Sequence, residues 1–268
     1  VSQAEKNPLQ NVVAIIPARF ASTRLEGKLL RLLGDKPLIL HTLEQTKKAK
    51  NIDRVIVATD DQKIFEVINK SGNEAVLTSI NHQSGSDRIA EVAEKLRENS
   101  IIVNVQGDEP LIPPTTIERA VEVLLNDETV VMSTTCERIE KFRDVLSPDV
   151  VKVVTDENGF ALYFSRSPIP FPRDLVKKHE TLKNALENEP SLVSSFKKHT
   201  GLYVYRREFL LEFTKLPQSN LEKIEMLEQL RALENGAKIK VVEVEESSIG
   251  VDTAEDLERV RKILEQTK

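Results

Sequence analysis

Four times in the first 125 residues a short apolar run is followed by an amphipathic stretch of helical period: 12–16 then 38–48, 54–58 then 61–70, 75–77 then 87–97, and 101–105 then 115–125. The runs are too short for buried helices and lack polar alternation, so they read as strands covered on both faces. Strand and helix in such regular alternation predict an α/β fold with a doubly wound, mostly parallel sheet. Each predicted strand runs into a polar loop: Pro17-Ala18-Arg19, Thr59-Asp60-Asp61, Thr78-Ser79 and Gln106-Gly107-Asp108-Glu109-Pro110. A parallel sheet gathers those loops at one edge, where its ligands bind.

The pattern changes after Val130. Strand-like segments at 130–135, 150–155, 160–164 and 202–205 follow one another without regular helices, which predicts an antiparallel subregion. Asp156-Glu157-Asn158-Gly159 between two of them reads as a hairpin turn. Residues 173–195 are charged and poor in apolar period, a surface excursion or lid. A helix over 221–233, a strand over 239–244 and a helix over 253–264, capped by Asp252 or Thr253, close the chain. The expected division is a loose tail at 1–10, a nucleotide-binding core of 11–135 with 236–268, and an inserted sugar-binding and dimerisation subregion at 136–235.

Composition narrows the function. A chain of 268 residues with 40% apolar content can bury an enzyme-sized core, while a net charge of −5 argues against broad nucleic-acid binding. No run approaches bilayer length and no leader is evident, so the expectation is a cytoplasmic protein that binds no membrane. Cys136, the single cysteine, reads as a small buried residue, and the four histidines lack zinc-ligand spacing.

Five groups of residues could carry chemistry. The loop after the first strand, Pro17 to Lys28, presents Arg19, Arg24 and Lys28 with the Ser22 hydroxyl and Gly27, but contains neither the Walker nor the dinucleotide glycine pattern. Read alone it is either a solvated basic loop or a clamp for a polyanion such as a nucleoside triphosphate. Asp108, in its Gly-Asp-Glu-Pro turn, suits Mg2+, a hard cation that takes one or two carboxylates with phosphate oxygens; a plain turn has the same composition. Asp252 could meet it across one ion, or simply cap the last helix. The loop Asn81 to Arg88 could read a base or hold a ribose, or be no more than a helix start capped by Ser86. In the second half, Glu225, Glu228 and Gln229 share a face if 221–233 is one helix.

Five fragments in order, Ile15 to Lys28, His82-Gln83-Ser84-Gly85, Asn104 to Pro110, Ala161 to Arg166 and Gly250 to Thr253, resemble the 3-deoxy-manno-octulosonate cytidylyltransferase family over almost the whole chain. The resemblance implies a nucleotide-diphospho-sugar transferase-like fold. It also implies a Mg-dependent reaction in which CTP activates the sugar acid Kdo to CMP-Kdo and pyrophosphate for lipopolysaccharide synthesis. It further implies two Mg2+ ions with CTP bound and a homodimer. As catalytic residues it implies Arg19, Lys28, Asp108 and Asp252, the two aspartates holding metal. Around the nucleotide it places Ala18, Arg19, Ser22, Lys28, His82, Ser84, Gly85, Arg88 and Gln106, and around the sugar acid Arg166, His199, Tyr203, Glu228 and Gln229. Many relatives have proline where this chain has Glu26, which touches loop rigidity more than chemistry. The same chemistry on 8-amino-Kdo or a sialic acid is the near alternative, and a non-catalytic nucleotide-binding protein of the same fold the distant one.

Overall fold

The computed structural model describes residues 11–20, 25–245 and 248–266. The expected tail at 1–10 therefore lies outside the described residues, as do Ser22 and Arg24. The chain forms two compact units, one of residues 1–129, 202–215 and 247–268, the other of 130–201 and 216–246.

In the first unit the strand β1 (Val12–Ala18) leads, through a 3-10 turn at Lys28–Leu30 and a two-residue hairpin of β2 (Leu32–Leu33) and β3 (Lys36–Pro37), into α1 (Leu38–Lys48). Then come β4 (Arg54–Thr59), α2 (Gln62–Lys70), β5 (Glu74–Leu77), α3 (Gly85–Ala93), β6 (Ile101–Asn104) and α4 (Pro114–Asn126). β1 pairs in parallel with β4 and β6, and β4 with β5, as the alternation predicts. Val12 to Ile16 are wholly buried, and each valine and isoleucine among them is worth about 1.5–3 kcal/mol relative to exposure. The register sets Ala18 beside Thr59 and Thr59 beside Leu77, so the carboxyl ends of β1, β4 and β5 share one edge.

The second unit contains β7 (Met132–Arg138), α5 (Phe142–Leu146), β8 (Lys152–Thr155), β9 (Ala161–Ser165), α6 (Arg173–His179), α7 (Leu182–Asn188), a 3-10 stretch Pro190–Ser195, and the first half of β10 (Lys197–Arg206). β8 and β9 are antiparallel around the Asp156 turn, whose carboxylate accepts from the amides of Asn158 and Phe160. After α8 (Arg207–Phe213), which belongs to the first unit, come α9 (Asn220–Glu225), α10 (Gln229–Glu234) and β11 (Ile239–Glu243); α11 (Ala254–Gln266) closes the first unit.

Four expectations need correction. The segment 236–246 stays with the second unit, because β11 pairs in parallel with β7; this strand pair also makes the subregion mixed rather than purely antiparallel. Conversely, 202–215 belongs to the first unit, because the end of β10 pairs with β6. Residues 173–195 are helical rather than irregular, and Leu186 and Val193 pack with Ile139, Val145 and Phe196. The single helix expected over 221–233 is two: Met226 sits at φ 53°, in the left-handed region, and ends α9. That reversal leaves Met226 75% exposed while Leu227 turns inward at 6%, so burial of the next apolar side chain outweighs helix continuity.

Candidate active site

The carboxyl edge of the first unit carries a cation clasped by oxygens. Lys28 Nζ donates to Asp108 Oδ2 at 2.5 Å, to Asp252 Oδ1 at 2.9 Å and to the Val251 carbonyl at 2.9 Å. Burial alone would lower the Lys28 pKa, but Asp108 and Asp252 outweigh it and hold the ammonium above its ordinary value. Two local devices deliver these groups. Gly27 takes φ 61°, which glycine adopts without strain, and starts the 3-10 turn that turns Lys28 inward. The Val251 amide donates to the Asp108 carbonyl at 2.9 Å, tying the two aspartate loops together without help from β11.

Asp252 is spared from capping. Thr253 Oγ1 accepts from the Asp256 amide and Asp256 accepts in return from the Asp252 and Thr253 amides, so of the two candidate caps it is Thr253 that serves α11. Before Asp108, Gly107 is required by space. A Cβ there would lie 3.1 Å from Ile39 Cδ1 and 3.2 Å from the Pro17 carbonyl, and Thr42 holds the Gly107 carbonyl at 3.0 Å.

Arg19 follows β1, where Ala18 is fully buried. Its Nη2 is buried and has no hydrogen-bond partner among the described residues, a donor suited to an anionic ligand. Gln106 is half-buried on the same loop as Asp108 and its carbonyl accepts from the Glu109 amide.

The loop before α3 is built for shape. Ser84, not Ser86, is the cap: Ser84 Oγ accepts from the Asp87 amide and Asp87 from the Ser84 amide, while Ser86 is buried. Gly85 follows, and a Cβ added there would come within ordinary contact distance of the Pro17 ring, 3.6 Å from Cγ. His82 Nε2 lies 2.6 Å from Glu91; burial pushes Glu91 up, but the Ser79 amide and His82 bring it below the ordinary glutamate value. Arg88 is fully buried, donating to Asp60 at 2.6 Å and to Thr78 at 2.5 Å. It locks the ends of β4 and β5 to α3. Asp60 stood in a strand-end loop of the sequence, but nothing there marked it as the partner of Arg88.

The residues that the resemblance assigns to the sugar acid fall in both units: Arg166, His199, Glu228 and Gln229 in the second, Tyr203 in the first. Arg166 is gripped from several sides. Nε donates to the Glu225 carbonyl at 2.7 Å, Nη1 to the Pro148 carbonyl at 2.9 Å and Nη2 to the Met226 carbonyl at 3.4 Å, while its amide donates to Glu225 Oε2 at 2.9 Å. A guanidinium has five N–H groups, so one remains on each terminal nitrogen. His199 Nε2 lies 2.8 Å from Thr134 Oγ1, its ring meets Phe164 edge-on, and burial pushes its pKa down to about 3, so it is neutral. Because α9 ends at Met226, Glu225 does not share a face with Glu228 and Gln229. Glu225 instead binds Ser165 and Arg166, Glu228 pairs with Arg231 at 3.2 Å, and Gln229 is buried with Nε2 unpartnered among the described residues. Tyr203 stacks on Tyr205. Cys136 is buried, its thiol pushed up to about 11, and is unreactive.

No group of three or more His, Cys, Asp or Glu side chains gathers as a metal site among the described residues. The donor set around Lys28 nevertheless fits Mg2+: two carboxylates and a carbonyl, all hard oxygens, already converge on one positive charge. No helix among the described residues is long and apolar enough to cross a membrane.

A family model described as Cytidylyltransferase matches residues 13–239. The 3-deoxy-manno-octulosonate cytidylyltransferase of Trichlorobacter lovleyi is 53% identical over 95% of this chain and 99% of its own, and that of Geobacter sulfurreducens 52% identical over 96% and 100%. A solved CMP:2-keto-3-deoxy-manno-octonic acid synthetase in complex with CTP superposes with a TM-score of 0.85 at 37% identity, covering 96% of this chain and all of that one. A 4-diphosphocytidyl-2C-methyl-D-erythritol synthase from Anaerococcus prevotii, at 16% identity and a TM-score of 0.58, shares the fold.

Proposed function

The chain belongs to the cytidylyltransferase family, and within it to the 3-deoxy-manno-octulosonate cytidylyltransferases, and from this premise we propose how its own residues carry the reaction. It is a CTP-using nucleotidyltransferase that activates Kdo for lipopolysaccharide biosynthesis: CTP and Kdo give CMP-Kdo and pyrophosphate. The anomeric hydroxyl attacks the α-phosphorus in line, one P–O bond forms as another breaks, and pyrophosphate leaves with the electron pair. Such a transfer asks for position and charge neutralisation more than for a covalent partner.

The observation that carries the assignment of roles is the convergence of Lys28, Asp108 and Asp252. Asp108 and Asp252 would hold Mg2+, which supplies positive charge to phosphate oxygens during transfer. Lys28, a mobile point charge, would then serve the triphosphate together with Arg19, whose buried Nη2 has no partner among the described residues and suits an anion. Ala18 at the end of β1, Gly85 at the start of α3 and Gln106 on the loop after β6 would border the nucleotide, with His82 and Ser84 in the loop that Glu91 and Asp87 brace. Arg88 supports that loop from beneath.

For the sugar acid, Arg166 keeps one N–H on each terminal nitrogen, the fork that grips a carboxylate through two bonds. Neutral His199, buried Gln229 and Glu228 would supply donors and acceptors for hydroxyls. We assign it to the cytoplasm, where its nucleotide substrate is made available. We assign it a homodimer, supported by exposed Leu162, Phe171, Ile224 and Met226 on the second unit; light scattering that finds only monomer would reject this. Pyrophosphate release measured with Kdo, 8-amino-Kdo and a sialic acid tests the acceptor. Turnover with a sialic acid alone would sink the reading.

A further inference from the structure

Lys152 carries a charge that the reaction leaves unused, and it is completely buried. Its ammonium donates to three backbone carbonyls, of Ser147 at 2.9 Å, Val150 at 2.6 Å and Arg166 at 2.5 Å. An ammonium has three N–H groups, so all are spent on main chain and none on a carboxylate. Burial pushes its pKa below the ordinary lysine value, while the field of Glu225 opposes the shift. A lysine kept this way does no chemistry on a substrate. It fixes the chain.

What it fixes is Arg166. The Arg166 carbonyl is held by Lys152, its amide by Glu225, and its Nη1 by the carbonyl of Pro148, which lies in the 147–150 loop that Lys152 also binds at both ends. One buried cation therefore sets both the backbone of Arg166 and the loop that aims its guanidinium. We propose that Lys152 is a positioning residue for the sugar acid, acting through Arg166 to orient the two remaining N–H groups toward the carboxylate. The inference rests on the reading that Arg166 contacts the sugar acid.

The test is steady-state kinetics of the full chain with each substrate varied in turn. Lys152→Met removes all three donors, and Lys152→Gln keeps two on a shorter stem. The expected result is a KM for the sugar acid raised about tenfold or more with the KM for CTP within about twofold, since misorienting one substrate's clamp weakens that substrate alone. A general structural role would lower the melting temperature and move both constants together. Should both variants fail to fold, Pro148→Gly, at an exposed position, loosens the same loop without touching the ammonium and must show the same split. Unchanged constants in a folded variant, or parallel changes in both, overturn the proposal. Arg166→Ala separates the two levels: if it leaves the sugar-acid KM unchanged, the reading of Arg166 falls. If it raises that KM while the Lys152 and Pro148 variants do not, only the role of Lys152 falls.

Discussion

Lys28 Nζ and Asp108 Oδ2 are 2.5 Å apart, and the same ammonium reaches Asp252 at 2.9 Å, so one lysine bridges two carboxylates from distant loops and leaves the cluster with a net negative charge. The arrangement makes Lys28 and a divalent cation competitors for the same oxygens. Lys28→Met should strengthen Mg2+ binding to the nucleotide-free protein, read by calorimetry or as a larger rise in melting temperature on adding Mg2+. Weaker or unchanged Mg2+ binding would contradict the competition.

Asp108→Asn and Asp252→Asn each remove one charge from the clasp. We expect turnover to fall about 100-fold or more at saturating Mg2+, the scale of losing one electrostatic contact to developing charge. Near-full turnover in either variant would refute the shared role of the two carboxylates.

Gly107→Ala tests the packing beneath the Asp108 turn. The added methyl meets Ile39 Cδ1 and the Pro17 carbonyl at distances tighter than ordinary contact, and the carbonyl is fixed in β1. Destabilisation of about 1–3 kcal/mol by denaturant titration is expected. A neutral substitution would show that the turn yields.

Arg88→Met leaves Asp60 without its cation and Thr78 without its donor at a fully buried position. Because the Asp60 side chain is 21% exposed and can be partly solvated, a loss of about 1–3 kcal/mol is expected, the scale of leaving buried polar groups unpaired. Arg88→Lys should recover only part of it, because a single ammonium does not reproduce the fork. Full recovery would mean that charge, not geometry, matters there.

His199 gives a pH dependence with a definite sign. Its pKa is about 3 in the folded protein and near 6.5 when unfolded, so between those values the unfolded chain binds a proton that the native chain does not. Its penalty is absent above about pH 6.5 and grows as pH falls, by at most about 1.4 kcal/mol per unit. The stability of His199→Gln, relative to the parent, should therefore improve from pH 7 to pH 4.5. Parallel stability curves would show that the imidazole protonates in place.

The alternation of apolar runs and helical periods determined the parallel half of the fold, because burial on both faces of a strand leaves a local signature; α1 spans 38–48 as the period predicts. Arg19, Lys28, Asp108 and Asp252 stood out as candidates because each lies near the end of a predicted strand or the start of a predicted helix, but only the family resemblance chose them over plain turns and caps. Pairing was not. That β11 stays beside β7, that Lys28 reaches both aspartates, and that Arg88 answers Asp60 are contacts between distant segments, which no local period encodes. The break at Met226 is the same lesson within one element. Propensity favours one helix through 221–233, and the burial of Leu227 decided for two, because a tertiary contact outweighs the few tenths of a kcal/mol per residue that propensity offers.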